Sequence, residues 1–135
     1  MRRLRGALTM AIAAASLLAA ASAQARVVRA TDVRSPTGLI TCWAMKHGHP
    51  GIECTAPYLP DLGELDTYMG LRPTRRAFLG QRGDYPGYGH RQVTVRYGDV
   101  WRRPGIRCTM RSSGMTCRNR SRHGFHLARG AVRRF

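Results

Sequence analysis

The chain is poor in acid, almost without lysine, and sparing with cysteine. Seven of its 135 residues are Asp or Glu, against 23 Lys and Arg, and Lys46 is the one lysine. There are four cysteines and no C-x-x-C pair, so the short spacing of a zinc knuckle is missing. No serine sits in a nucleophile elbow and no Gly-rich phosphate loop is present. Past the N-terminus, no apolar run is long enough for a membrane helix. These absences argue against an α/β-hydrolase, a P-loop nucleotide binder and a multi-span membrane protein. Neither a cofactor nor a metal is expected. His47-Gly48-His49 is the nearest approach to a metal grip, and it lacks a recognisable third ligand.

What the N-terminus does have reads as a secretory signal. Arg2, Arg3 and Arg5 form a basic start, and Ala7–Ala21 is small or apolar throughout, apart from Thr9 and Ser16. Ala21-Ser22-Ala23 and Ala23-Gln24-Ala25 both fit an A-x-A cleavage site. The apolar run is shorter than the roughly 20 residues that span a bilayer. The expected organisation is a signal peptide over 1–25 and one exported domain over 26–135, secreted or periplasmic, with no transmembrane anchor after cleavage.

Export places the cysteines where disulfides persist. They fall into two close pairs, Cys42/Cys54 and Cys108/Cys117, each in a similar string. Gly38-Leu39-Ile40-Thr41-Cys42 is followed by Gly51-Ile52-Glu53-Cys54. Gly105-Ile106-Arg107-Cys108 is followed by Gly114-Met115-Thr116-Cys117. Four cysteines allow three connectivities, and the favoured one is Cys42–Cys54 with Cys108–Cys117, each closing a β-hairpin. A two-residue loop at Ser112-Ser113 makes Cys108/Cys117 a non-hydrogen-bonded pair, with Cα atoms about 4.5 Å apart and within disulfide range. A three-residue loop with Gly114 left-handed shifts that register by one.

Strand signals are short: Leu39–Met45, Val93–Tyr97 with period-two alternation, Ile106–Met110, Met115–Arg118 and Phe125–Leu127. Ala56–His90, rich in Gly, Pro and Tyr, reads mostly as loop. Within it, Asp61–Met69 has the form of two helical turns, with Asp61 as N-cap and Glu64 at the capping-box position. The tail 128–135 reads as a final strand or a helical turn. The expected fold is mainly β: a small disulfide-stapled single domain with hairpins and long Gly/Pro-rich loops.

Charge is segregated along the chain. Twelve arginines face one acid, Asp99, between Arg91 and Phe135, while Glu53–Asp66 holds four acids and no Lys or Arg. A field this positive attracts polyanions and anionic surfaces, and arginine forks suit phosphate and carboxylate. The candidate polyanion-binding residues are Arg102, Arg103, Arg107, Arg111, Arg118, Arg120 and Arg122. An Arg-rich composition also arises without selection for binding, and high charge aids solubility.

The C-terminal third carries a resemblance. Tyr97-Gly98-Asp99-Val100-Trp101, Gly105-Ile106-Arg107-Cys108-Thr109, Gly114-Met115-Thr116-Cys117-Arg118-Asn119 and His123-Gly124-Phe125-His126-Leu127-Ala128-Arg129 resemble a family of small secreted bacterial domains of unknown function. Ser35-Pro36-Thr37-Gly38-Leu39-Ile40-Thr41-Cys42 is similar to the family's opening motif, and Gly51-Ile52-Glu53-Cys54 to its second cysteine. This chain has Leu39 where the family commonly has Asn, and Ala128 where it commonly has Ser. Many members carry six cysteines, and the absence of the middle two together implies that they pair with each other, which supports the pairing above. The resemblance implies an exported β-rich domain and transfers no catalytic residue.

The leading expectation is therefore an exported non-enzymatic protein that binds anionic polymer or the cell envelope through an Arg-rich C-terminal face. No specific protein partner is identifiable. The competing readings are a small cationic hydrolase or nuclease using His123 or His126, with no catalytic residue assigned, and an inhibitor that inserts its 80–90 loop into a secreted enzyme.

Overall fold

The computed structural model describes residues 23–45, 49–84 and 89–135. Twelve strands run in chain order: β1 (Val27–Val28), β2 (Asp32–Arg34), β3 (Thr41–Ala44), β4 (Ile52–Thr55), β5 (Asp66–Leu71), β6 (Phe78–Arg82), β7 (Val93–Thr94), β8 (Val100–Arg103), β9 (Ile106–Arg111), β10 (Gly114–Asn119), β11 (Gly124–Leu127) and β12 (Arg133–Arg134). They form two six-stranded sheets, ordered β1-β8-β9-β10-β11-β12 and β6-β5-β4-β3-β2-β7. The described residues contain no helix, and none of their elements is a helix able to cross a membrane. The protein is a small disulfide-stapled β domain.

The better-resolved sequence signal is the β9–β10 hairpin. Its strands alternate, with Ile106, Cys108, Met110, Met115 and Cys117 buried and Arg107, Arg111 and Arg118 exposed. Arg111 pairs with Gly114, so the loop is the two residues Ser112-Ser113, and Cys108 lies opposite Cys117. The disulfide follows, with Cα atoms 4.0 Å apart. Cys42 lies opposite Cys54 in the same way and is also bonded, at a Cα separation of 4.0 Å. The cysteines of both sheets belong to one core, which they share with Ile40, Ile52, Met69, Leu71, Trp101, Met115, Phe125 and Leu127. The Trp101 indole N–H donates to the Ala30 carbonyl at 2.8 Å, which satisfies its one polar atom inside that core.

The expected helix over Asp61–Met69 does not form. Asp61 does accept a backbone N–H, but it is that of Gly63 at 3.0 Å, an Asx turn rather than a helix cap. The chain from Asp66 then pairs with the free edge of β4, Cys54 opposite Met69. The Ala56–His90 segment is still mostly loop, but it also supplies β5 and β6. Two glycines make that ladder possible. Gly80 lies opposite Tyr68 and Gly70 opposite Phe78, and each aromatic ring lies over its glycine where a Cβ would collide with it. The Val93–Tyr97 signal yields only the two-residue β7, because Gly98 (φ 89°) turns the chain towards β8. The tail ends as a strand, β12. The His47-Gly48 part of the first hairpin loop and Tyr85–Tyr88 lie outside the described residues.

Candidate polyanion-binding face

The period-two alternation that buries Cys108 and Cys117 points their neighbours outwards. Arg102 pairs with Arg107, and Arg107 with Arg118, so three guanidinium side chains stand in one row across β8, β9 and β10. Adjacent strands lie about 4.8 Å apart, which makes this row a comb of like charge. The next row on the same face is Thr109, Thr116, His126 and Arg133. At one end of the comb the Arg118 guanidinium lies over the Phe135 ring, 5.1 Å from its centroid. Beyond it, Arg29, Arg103 and Arg120 join Arg102, Arg107 and Arg118 around a shallow depression of about 460 Å³.

No acid lines this depression among the described residues. Asp99, the only acid of the C-terminal third, is buried and engaged elsewhere. Its Oδ2 accepts Arg26 Nε at 3.0 Å, Arg26 Nη2 at 2.6 Å and the Arg96 backbone N–H at 2.8 Å. Burial pushes the Asp99 carboxyl upwards, but these donors outweigh it and hold the group below its usual value, while the same contact raises Arg26. Glu53 is likewise consumed. It lies on the outer face of the other sheet, where it accepts the Trp43 indole N–H at 2.8 Å and Arg82 Nη2 at 2.7 Å. The exposed carboxylates Asp61, Glu64 and Asp66 line a separate cleft of about 770 Å³ on that sheet's side, and no Arg or Lys lines it. The acidic cleft and the basic depression therefore lie on different sheets.

Five of the seven candidate arginines converge: Arg102, Arg103, Arg107, Arg118 and Arg120. Arg111 lies on the same face of β9 but one end of the strand away, beside Ser112 and Arg129 in another hollow. Arg122 sits in the β10–β11 turn with a positive φ of 68°. Arg29 was not among the candidates. It reaches the depression because β1 adds in parallel beside β8, and Arg103 Nη1 donates to its carbonyl at 3.1 Å. No local sequence signal marks that long-range pairing.

The histidines are placed differently. His126 Nδ1 lies 2.8 Å from Thr116 Oγ1 on the basic face. His123 is held through its backbone, whose N–H donates to Asn119 Oδ1 at 3.0 Å. Among the described residues the one histidine–carboxylate pair is His90 with Asp32, at 3.7 Å. No group of three or more His, Cys, Asp or Glu among them is arranged to hold a metal.

The family assignment comes from the chain as a whole. A family model matches residues 5–135, which takes in both disulfide hairpins and every arginine of the depression. The chain belongs to DUF6636, a family of unknown function. No curated protein and no solved structure matches it. For this DUF6636 domain, the site's own chemistry is the argument for function.

Proposed function

We propose that this is an exported, non-enzymatic DUF6636 domain that binds an anionic polymer, or the anionic surface of the cell envelope, through the outer face of the β8–β9–β10 sheet. One observation carries the reading: the in-register row Arg102–Arg107–Arg118, extended by Arg29, Arg103 and Arg120 around a depression lined by no acid. Arginine at this density favours oxyanions, because each fork donates two parallel hydrogen bonds to phosphate, sulfate or carboxylate. Both disulfides suit an oxidising compartment, and the basic N-terminus with its A-x-A sites suits removal of residues 1–25.

The test is retention of the oxidised domain on heparin, on single-stranded DNA and on the host's envelope fraction across a salt series. The expected result is affinity that falls linearly in a log–log plot against salt. The R102S/R107S/R118S variant is expected to elute at lower salt and to flatten that slope. Retention unchanged by salt, or by the triple substitution, overturns the reading.

A further inference from the structure

Each sheet is built to the same plan. β2–β6 form a five-strand meander, and so do β8–β12. In each, the disulfide joins the second strand to the third. With the bonded cysteines taken as equivalent, the inward positions correspond step by step. Val33 and Trp101 lie opposite the first cysteine, and Met69 and Phe125 opposite the second. Leu71 and Leu127 lie opposite Ile52 and Met115. Ile40 and Ile106 each precede the first cysteine by two residues. All of these side chains are buried. The repeated strings around the cysteines fall on the same equivalence, Gly51-Ile52-Glu53-Cys54 on Gly114-Met115-Thr116-Cys117.

The sixth strand of each sheet breaks the chain order. β1 precedes the first meander in sequence, yet it lies parallel to β8 and completes the second sheet. β7 precedes the second meander, yet it lies parallel to β2 and completes the first. We propose that the domain is a duplicated half-unit, β1–β6 and β7–β12, whose two copies exchange their first strands. The slot beside β2 or β8 is then an interaction surface, and the partner it fits is an extended parallel strand from the other half. Inward residues stayed apolar in both copies because they share one core. Outward residues were free to diverge: Thr41, Glu53 and Thr55 correspond to Arg107, Thr116 and Arg118, so the basic comb belongs to one half only.

Neither disulfide crosses between the halves. The experiment is therefore to insert a protease site between Gly83 and Asp84 in the full chain, fold and oxidise it, and cut it. The nicked halves are expected to co-elute as a one-to-one pair without denaturant and to separate in denaturant without reductant. Val28 is buried at 6% exposure and Val27 is 46% exposed, on the same crossing strand. Val28→Asp is expected to weaken the nicked pair at least tenfold more than Val27→Asp. Halves that separate without denaturant, or equal effects of the two substitutions, overturn the proposal. Hydrogen exchange on the uncut chain gives an independent reading. The crossing amides of Val100, bonded to the Arg26 carbonyl, and Val95, bonded to the Arg34 carbonyl, are expected to be protected alike. Fast exchange at both, with β3, β4, β9 and β10 protected, also overturns it.

Discussion

Asn119 Nδ2 donates to the Arg75 carbonyl oxygen at 2.7 Å, across 44 positions of sequence. The same nitrogen reaches the Arg72 carbonyl at 2.8 Å, and Oδ1 accepts the backbone N–H groups of Ser121 and His123 at 3.0 Å each. The side chain is buried and its hydrogen-bonding capacity is used, so it ties the β10–β11 turn to the loop between β5 and β6.

Asn119→Asp replaces two donors with an acceptor facing two carbonyl oxygens. We expect it to lower stability by about 2–4 kcal/mol, the cost of leaving buried polar groups unpaired. Urea unfolding checks this, and a midpoint within error of the parent rejects it. The sequence Asn119-Arg120-Ser121 is formally a glycosylation site, but the folded domain holds its amide out of reach.

Asp99 sets an acid limit. Its folded carboxyl lies below the reference value of 3.8 because the Arg26 and Arg96 donors outweigh burial. A depressed folded pKa contributes stability that is fully present above the unfolded value and is lost as pH falls from there through the folded pKa. The parent is therefore expected to lose stability on acidification below about pH 4. Asp99→Asn should be less stable near neutrality and should show a flatter acid limb. Parallel curves for parent and variant over pH 2–6 would remove Asp99 from the account. Arg26 has 47% of its side chain exposed, so Arg26→Ala should be the milder change.

The two disulfides close short loops, with sequence separations of 12 and 9. Loop entropy gives each about 3 kcal/mol. C42A/C54A and C108A/C117A should each lower the unfolding free energy by about that amount in chemical denaturation. A much smaller loss in either pair would show that its hairpin holds register through side-chain packing alone.

Glu53 is buried on an outward-facing position and balanced by two donors, Trp43 and Arg82. Glu53→Ala removes both hydrogen bonds and leaves the Arg82 guanidinium without its carboxylate, for an expected loss of about 2–3 kcal/mol. Glu53→Gln keeps an acceptor for one partner and should cost less. Equal losses in thermal unfolding would mean that volume, not hydrogen bonding, decides this site.

The cysteine hairpins were legible in the sequence because their determinants are local. A two-residue loop at Ser112-Ser113 sets the pairing of Cys108 with Cys117, and strict alternation then decides which face each neighbour takes. The same alternation sends Arg107 and Arg118 outwards, so most of the basic row could be named in advance. The β5–β6 hairpin was not legible. Its strands carry Gly70 and Gly80, poor strand formers that look like loop until Phe78 and Tyr68 are known to lie over them. Asp61 and Glu64 mimicked a helix start, and only the open edge of β4 drew Asp66–Leu71 into a strand. Arg29 joined the depression through the parallel pairing of β1 with β8, a contact 73 residues apart in the register Val27 to Val100. By itself, then, the sequence determined the staples, the β character and the excess of positive charge, because turns, spacing and composition act over short distances. The tertiary structure alone decided which arginines meet and which acids are buried away from them, because those outcomes depend on strand partners distant along the chain.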